Sequence, residues 1–417
     1  MKEPVVGILV GGGPAPGING VIAAATIEAR NQGWKVLGFL EGLKYLEQGD
    51  AGRTIDLDIP DVSRIHFTGG SILLTSRRGS VQDREVCKRV VEALRSRGVE
   101  ALITIGGDGT AGAAARLAAC AGDMLQVVHV PKTIDNDIPL PGGLSTFGYQ
   151  TARHYGVSVV QSLMEDAKTT GRWYLVVTMG RNAGHLALGI GKAAGASLTL
   201  IPEEFGEEHL KLTDLALPIE ATILRRLSEG RRDGVVVLAE GLAERIDPKE
   251  LQRQHGMERD PHGKIRLTDL PMGYALRKHI TESFKERGVE VSIMEKLVGY
   301  ELRCAAPIPF DAEYTRDLGF GAMNAIATGN ENGIVCRHMG RVVVFPFDHF
   351  ADPRTGTTRI RYVDTHTESF LVSTRYQLRL RRKNLEDPEE RAKLAATARM
   401  DEESLVRRYS PVLVMDR

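Results

Sequence analysis

The chain has 417 residues, which at roughly 150 residues per domain suggests two or three domains. Lys+Arg and Asp+Glu both number 54, and this zero formal net charge excludes a global basic surface for nucleic acid or anionic lipid. Hydrophobic residues at 42% and charged residues at 26% exclude collagen, disorder and coiled coil as the main class. We therefore expect any polyanionic ligand to be bound by a local group of residues.

The cysteines and the N-terminal region indicate the cellular compartment. The four cysteines are Cys87, Cys120, Cys304 and Cys336, far apart and without a CxxC pair. This pattern favours reduced thiols over a disulfide framework or a zinc site. The uncharged segment 5–27 is interrupted by glycine and proline, unlike a signal peptide or a membrane helix. We expect a cytoplasmic protein that binds no membrane.

Short apolar runs alternate with helical patterns along the chain. The predicted strands, in chain order, are residues 5–10, 36–40, 101–105, 127–130, 174–178, 198–201 and 235–239. A helix is predicted over 18–29, and another ends at Gly98. This alternation predicts an α/β fold, in which a parallel sheet carries helices on both faces. Ligands of such sheets bind beyond the carboxyl ends of the strands.

The first candidate site is the segment 11–17, GGGPAPG, between a predicted strand and a predicted helix. Its glycines allow backbone N–H groups to approach an anion, and the helix start adds a favourable dipole. Pro14 and Pro16 remove two of the donors. A tight turn without ligand is the alternative interpretation.

The second candidate site is the segment 106–110, GGDGT, also between a strand and a helix. Its glycines match the GxGxxG pattern of dinucleotide sites, but a carboxylate at Asp108 repels a pyrophosphate unless a cation lies between them. The next strand also ends in Lys132, where that fingerprint requires an acid. Phosphates with Mg²⁺ held by Asp108 are favoured. The residues predicted to contact the phosphates at this turn are Gly107, Asp108, Gly109 and Thr110.

The third candidate site is the segment 131–137, PKTIDND, at the end of the strand 127–130. Lys132 can neutralise a phosphate and Thr133 can donate to it, while Asp135 and Asp137 supply two carboxylates. Phosphoryl transfer to a hydroxyl requires an acceptor for the hydroxyl proton and counter-charge for the phosphoryl oxygens. An Asx-rich turn is the alternative, which the other two motifs on the same sheet edge make less favourable.

Further polar residues follow other apolar runs. Arg77 and Arg78 suit fork-like phosphate contacts. The segment 179–185, MGRNAGH, follows a predicted strand, Glu240 follows another, and Arg303 follows the apolar run 297–302. Each is also compatible with a surface ion pair. The chain has no Walker A sequence and no protein-kinase HRD or DFG motif, which excludes both of those designs.

Together the three motifs resemble the 6-phosphofructokinase family, from about residue 5 to residue 345. The resemblance implies two Rossmann-like, doubly wound α/β domains with mostly parallel sheets. It implies Mg²⁺-dependent phosphoryl transfer to the 1-hydroxyl of fructose 6-phosphate, which gives fructose 1,6-bisphosphate in glycolysis. We expect a phosphoryl-donor domain in residues 1–146 and about 305–370, a fructose 6-phosphate domain in 147–304, and a charged C-terminal tail in 371–417.

The resemblance also implies roles for individual residues. Asp135 resembles the base that takes the hydroxyl proton, supported by Lys132 and Thr133, and Asp108 resembles the magnesium carboxylate. Gly12 matches a backbone phosphate contact, and Arg77, with Arg78 beside it, matches the arginine between donor and acceptor phosphates. The implied sugar-side residues are Thr133, Asp135, Asp137, Arg172, Met179, Gly180, Arg181, Glu240, Tyr300 and Arg303. Arg303 and Arg172 match the 6-phosphate arginines, the latter from a neighbouring subunit in oligomeric members, so a homodimer or homotetramer is expected.

The choice of phosphoryl donor depends on two positions. Family members that use pyrophosphate typically have Asp at position 109 and Lys at position 132, whereas this chain has Gly109 with Lys132. An Asp would crowd and repel a nucleotide α-phosphate, so Gly109 predicts ATP as the donor. Pro14 and Tyr300 depart from the bacterial ATP enzymes and resemble the group that includes pyrophosphate-dependent enzymes. A pyrophosphate-dependent phosphotransferase is therefore the alternative, and a non-catalytic nucleotide or sugar-phosphate sensor is a further one.

Overall fold

The computed structural model describes residues 3–79, 81–206, 209–247, 272–329, 332–355 and 357–413. The chain divides into two compact units. Unit 1 comprises Met1–Ala152 and Tyr300–Arg361, and unit 2 comprises Arg153–Gly299 and Tyr362–Arg417. Each unit contains its own sheet.

Each of the seven predicted apolar runs forms a strand, and the described part of the chain contains five further strands. In chain order the strands are β1 (Val5–Val10), β2 (Lys35–Phe39), β3 (Thr54–Leu57), β4 (Val99–Gly106), β5 (Gln126–Thr133), β6 (Phe147–Gly148), β7 (Trp173–Thr178), β8 (Leu198–Leu200), β9 (Gly234–Ala239), β10 (Ile293–Val298), β11 (Gly333–His338) and β12 (Arg341–Phe345). The five further strands are β3, β6, β10, β11 and β12.

The α-helices alternate with these strands in the first part of the chain and follow one another in the last part. In chain order they are α1 (Ile18–Asn31), α2 (Ile59–Val62), α3 (Arg84–Ser96), α4 (Asp108–Ala121), α5 (Tyr149–Thr170), α6 (His185–Ala194), α7 (Leu212–Ser228), α8 (Leu242–Arg245), α9 (Met272–Glu286), α10 (Tyr300–Arg303), α11 (Pro309–Ala327), α12 (Glu368–Arg375), α13 (Arg382–Glu386), α14 (Pro388–Ala398) and α15 (Glu402–Tyr409).

The sheet of unit 1 has the strand order β12-β11-β5-β4-β1-β2-β3, with β6 paired to β5. The central strands are parallel, while β3 and β12 are antiparallel to their neighbours. Every residue of β1 is buried because α1 and α11 cover one face of the sheet and α3 and α4 cover the other. A strand covered on both faces must be apolar throughout, which explains the uninterrupted run VVGILV.

The sheet of unit 2 has the order β10-β7-β9-β8 and is entirely parallel. Its core includes Trp173 together with Leu394, Leu405 and Tyr409 from the C-terminal helices α14 and α15. Both units are thus α/β with mostly parallel sheets, and the predicted fold class is confirmed. Over the described ranges, no helix has the length and apolar character needed to cross a membrane.

Candidate active site

The glycine turn after β1 is packed against the segment 75–78. The backbone N–H of Gly12 donates to the carbonyl oxygen of Ser76 at 2.9 Å, and Thr75 Oγ1 donates to the carbonyl oxygen of Gly12 at 2.6 Å. Gly12 has a φ of 82°, a left-handed conformation that favours glycine. Arg77 and Arg78, both exposed, follow directly on this segment. The structure therefore brings the arginine pair to the first motif.

The second turn, between β4 and α4, packs closely on the first. A Cβ atom at Gly11 or Gly106 would overlap the side chain of Thr110, which is buried between the two turns. Glycine at both positions therefore allows the turns to approach each other. Asp108 is the first residue of α4. A Cβ atom at Gly109 would meet no heavy atom within 4 Å, so open space adjoins this position.

The third motif follows β5 and is held by short-range hydrogen bonds. The N–H of Asp135 donates to Thr133 Oγ1 at 2.9 Å, and the N–H of Thr146 donates to Asn136 Oδ1 at 3.1 Å. Asn136 has a φ of 59°, which is uncommon for a residue other than glycine. Asp135 and Asp137 are each 8% exposed. The two carboxylates therefore belong to a buried, fixed loop.

Two cations converge on Gly13. Lys132, only 5% exposed, donates from Nζ to the carbonyl oxygen of Gly13. A Cβ atom at Gly13 would lie 3.4 Å from the guanidinium carbon of Arg303, whose side chain also lies 5.3 Å from the Tyr300 ring. Arg303 does not follow a strand directly, because the apolar run 297–302 includes the end of β10 and most of helix α10. Phosphate groups at the first turn would meet positive charge from both side chains.

A histidine that the sequence did not single out supports the second turn. His129, on β5, is fully buried, with Nδ1 2.8 Å from Thr104 Oγ1 and Nε2 3.1 Å from the carbonyl oxygen of Gly106. Burial, together with the charge of Lys132, lowers the pKa of His129 to about 3. The ring is therefore neutral: Nε2–H donates to Gly106, and Nδ1 accepts from Thr104. Its position inside an apolar run carries no sequence signal for this role.

The loop after β7 in unit 2 is shaped by Glu240, which follows β9. Glu240 is 5% exposed, and its Oε1 accepts from the N–H groups of Gly180 at 3.0 Å and Arg181 at 2.7 Å. Arg181 has a left-handed φ of 49°, and strained backbone of this kind is concentrated at functional sites. The preceding residue, Met179, is buried. The structure thus brings Met179, Gly180, Arg181 and Glu240 together.

Arg172 is separated from that loop within unit 2. It precedes the first residue of β7, whereas Met179 follows the last, and a strand of six residues spans about 20 Å. Its Nε lies 4.0 Å from Asp166 Oδ2 on α5. Arg172 therefore does not join Met179 and Arg181 at the carboxyl end of β7.

Sequence reasoning missed Glu203, which follows β8. Its Oε1 accepts from the N–H groups of Gly184 and Val363, both at 2.9 Å, so it ties the loop after β7 to the start of the C-terminal segment. Its Oε2 is buried and has no hydrogen-bond partner among the described residues. Burial raises the pKa of this carboxyl, although the two N–H donors act in the opposite direction. Glu240 was predicted because ligands bind beyond the carboxyl ends of parallel strands, and the same reasoning would also have selected Glu203.

The donor set can be tested against Mg²⁺. Within the described part of the chain, no three His, Cys, Asp or Glu side chains are grouped closely enough to bind a metal together. Mg²⁺ does not need such a group, because it commonly binds one or two carboxylates, waters and the phosphates of the substrate. Asp108, only partly buried at the start of α4, therefore fits a magnesium ion bound together with phosphates.

Comparisons with known proteins define the family. The phosphofructokinase family model matches residues 5–326. The pyrophosphate–fructose 6-phosphate 1-phosphotransferase of Thermotoga maritima is 48% identical over 409 residues, covering 97% of both chains. The ATP-dependent 6-phosphofructokinase of Aquifex aeolicus is 33% identical over 347 residues, covering 82% of this chain and 93% of the relative. This chain belongs to the phosphofructokinase family.

A solved structure supports the fold. The phosphofructokinase of Saccharomyces cerevisiae superimposes with a TM-score of 0.67 at 19% sequence identity, covering 98% of this chain. This chain spans half the length of that yeast chain. The structural similarity supports the α/β fold, and the sequence similarity to the relatives shows the family.

Proposed function

We propose that this protein transfers a phosphoryl group from pyrophosphate to the 1-hydroxyl of fructose 6-phosphate. The observation that carries the choice of donor is the 48% identity, over 97% of both chains, to a relative named for that reaction. A relative named for ATP, from Aquifex aeolicus, is 33% identical. This proposal replaces the expectation of ATP that we based on Gly109.

Lys132 supports the same donor. Pyrophosphate has no nucleoside, so its binding energy must come from contacts with its phosphates. The amino group of Lys132 lies at the glycine turn, and a Cβ atom at Gly12 would be 3.6 Å from Nζ. A fixed, mostly buried cation attracts a phosphate more strongly than a cation in water does, because the local dielectric constant is lower. Lys132 therefore supplies a strong phosphate contact that does not depend on an adenosine group.

The transfer step requires a proton acceptor and charge neutralisation. Asp135, held by Thr133 on a buried loop, takes the proton of the 1-hydroxyl as the hydroxyl oxygen attacks the phosphorus. The bridging P–O bond of pyrophosphate breaks as the new O–P bond forms, and inorganic phosphate leaves. Asp108 would hold Mg²⁺, which neutralises charge on the phosphates when bound. Arg77 and Arg78 add positive charge beside the first turn. We assign the sugar contacts to Asp137, Met179, Gly180, Arg181, Glu240, Tyr300 and Arg303, with Arg172 supplied by a neighbouring copy.

ATP is the second candidate donor, and one observation favours it. The open space at Gly109 leaves room for an additional phosphate, and no side-chain carboxylate at that position repels it. The relative from Aquifex aeolicus is named for ATP. Use of ATP would mean that this space decides the donor, with Lys132 only supporting the phosphates.

The test is a parallel assay of fructose 1,6-bisphosphate formation from fructose 6-phosphate and Mg²⁺, with pyrophosphate or ATP. We expect kcat/KM to be higher with pyrophosphate, and turnover exclusively with ATP would contradict the proposal. Asp135→Asn should lower kcat by at least about 100-fold, since general base catalysis contributes that much. Calorimetry should show that the variant still binds fructose 6-phosphate. Binding of the sugar without turnover by the wild-type protein would indicate a sensor.

A further inference from the structure

The last described stretches of unit 1, residues 350–355 and 357–361, lie beyond the residues that the family model matches. They pair with each other: the N–H of Asp352 donates to the carbonyl oxygen of Thr357 at 2.7 Å, and the N–H of Arg359 donates to the carbonyl oxygen of Phe350 at 2.9 Å. The returning arm, residues 357–361, contacts the second motif, where Thr358 Oγ1 lies 3.5 Å from the carbonyl oxygen of Asp108. The same arm continues to the third motif.

Arg361, at the end of this arm, binds the backbone of the loop that carries the two carboxylates. Its Nε and Nη2 donate to the carbonyl oxygen of Asn136 at 3.1 and 2.9 Å, and Nη1 donates to that of Leu144 at 3.0 Å. Its backbone N–H donates to the carbonyl oxygen of Asp137 at 2.7 Å. One residue therefore holds the loop at Asn136, Asp137 and Leu144.

The loop needs such support at Asn136. A left-handed conformation at a residue other than glycine is uncommon, although asparagine adopts it more readily than most, and contacts from the surroundings help it to persist. The side-chain oxygen of Asn136 accepts from the N–H of Thr146, and its backbone carbonyl oxygen accepts separately from Arg361. The planar guanidinium places two donors on that oxygen and a third on Leu144, which a lysine ammonium cannot reproduce in one fixed geometry.

We propose that Arg361 is a positioning residue for phosphoryl transfer: it fixes the peptide between Asp135 and Asp137 so that the Asp135 carboxylate meets the substrate hydroxyl. In this role Arg361 acts through the backbone carbonyl groups that it holds rather than through the donor or the acceptor. This role rests on the proposed function of Asp135. It extends the catalytic machinery to a part of the chain that none of the sequence motifs covers.

The experiment compares Arg361→Gln and Arg361→Lys with the control Arg359→Gln. Arg359 is exposed and lies on the same arm, and its guanidinium contacts the carbonyl oxygen of His349 rather than the catalytic loop. We expect Arg361→Gln to lower kcat about 100-fold, since small misplacements of reacting groups cost that much. KM for fructose 6-phosphate should change little. Arg361→Lys should fall between the wild type and Arg361→Gln, and Arg359→Gln should match the wild type.

Two measurements distinguish positioning from a loss of folded protein. Hydrogen exchange should increase in residues 134–146 of Arg361→Gln and not in the core strands. Guanidinium chloride, added at millimolar concentration to Arg361→Ala, should restore part of kcat, whereas it cannot repair an unfolded chain. If the wild type is active, two results would overturn the role of Arg361 without affecting the proposed function. One is an unchanged kcat per folded molecule of Arg361→Gln, and the other is an equal loss of kcat in Arg359→Gln. A wild type inactive with both donors would overturn the proposed function, and this role with it.

Discussion

Lys132 donates a hydrogen bond from Nζ to the carbonyl oxygen of Gly13, and this contact joins the third motif to the first. β5 brings the lysine to the carboxyl edge of the sheet, and β1 brings the glycine turn to the same edge. Because β4 lies between these two strands, the three motifs share one edge. If the first glycine turn binds phosphate as proposed, a side chain that neighbours it in this way is placed to influence the choice of donor.

We expect Lys132→Met to lower kcat/KM for pyrophosphate at least about 100-fold, the cost of removing one electrostatic contact to a reacting group. Turnover with ATP, if measurable, should fall less, because adenosine adds binding contacts that pyrophosphate lacks. Steady-state kinetics with both donors would measure the two changes. Equal losses with both donors would show that Lys132 does not discriminate between them.

Gly109→Asp should preserve the activity with pyrophosphate and remove any activity with ATP. The added Cβ atom has no neighbour within 4 Å, so the backbone can accept the side chain. The new carboxylate would enter the space that an additional nucleotide phosphate needs, and like charges repel each other. Gly109→Ala is the matched control, since it adds a methyl group without charge. Undiminished turnover of ATP by Gly109→Asp would contradict this use of the space.

His129 should make the folded protein sensitive to acid. Its pKa falls from 6.5 to about 3 on burial, so between these values the unfolded chain binds a proton that the folded chain does not. The free energy of unfolding must therefore decrease as pH falls below 6.5, by up to about 1.4 kcal/mol per pH unit from this group. Urea unfolding of His129→Gln across that range should give a shallower dependence on pH. The exposed His154→Gln should retain the wild-type dependence.

Glu220, fully buried on α7, should anchor the C-terminal helices to unit 2. Its Oε2 accepts from Arg287 Nη2 at 3.1 Å, Arg408 Nη2 at 2.9 Å and the Tyr409 hydroxyl at 3.0 Å. Removing one side of a buried ion pair leaves uncompensated charge, so Glu220→Ala should lower the free energy of unfolding by about 3–5 kcal/mol.

The matched control for Glu220 is Glu386→Ala, which breaks an exposed pair with Arg382 and should cost under about 1 kcal/mol. In a Trp34→Phe background, Trp173 in the core of unit 2 is the only tryptophan, and its fluorescence reports the unfolding of that unit. Equal losses for Glu220→Ala and Glu386→Ala would contradict an anchoring role for Glu220.

The sequence predicted the elements whose signals are local. β1 begins and ends at the predicted residues, and β4, β5, β7 and β9 extend the predicted runs by one or more residues. Their uninterrupted apolar composition is what a strand covered on both faces requires. The edge strands β3 and β12 were not predicted. β3, TIDL, lacks such a run, while β12 contains the apolar run VVVF but is only half-buried and pairs with β11, the strand directly before it in the chain.

The candidate site was predictable where polar residues directly follow strands, as at Asp108, Asp135 and Glu240. The contacts of Arg361 were not, because they join a side chain to backbone carbonyls more than 200 residues away, and no spacing or composition marks such a pair. The distance of Arg172 from the carboxyl end of β7 was implicit in the predicted strand, which it precedes. Backbone contacts of this kind emerge only from the folded chain.

The central claim, that pyrophosphate is the donor, is tested most directly by the reverse reaction. Fructose 1,6-bisphosphate, inorganic phosphate and Mg²⁺ would be mixed with the protein, and ³¹P NMR would follow the formation of pyrophosphate. The free-energy change of this phosphoryl transfer is small, so the reaction runs in both directions. Because each transfer releases one molecule of each product, we predict that pyrophosphate and fructose 6-phosphate appear together in equal amounts. A sample that forms no pyrophosphate, from protein that makes fructose 1,6-bisphosphate with ATP, would contradict the claim.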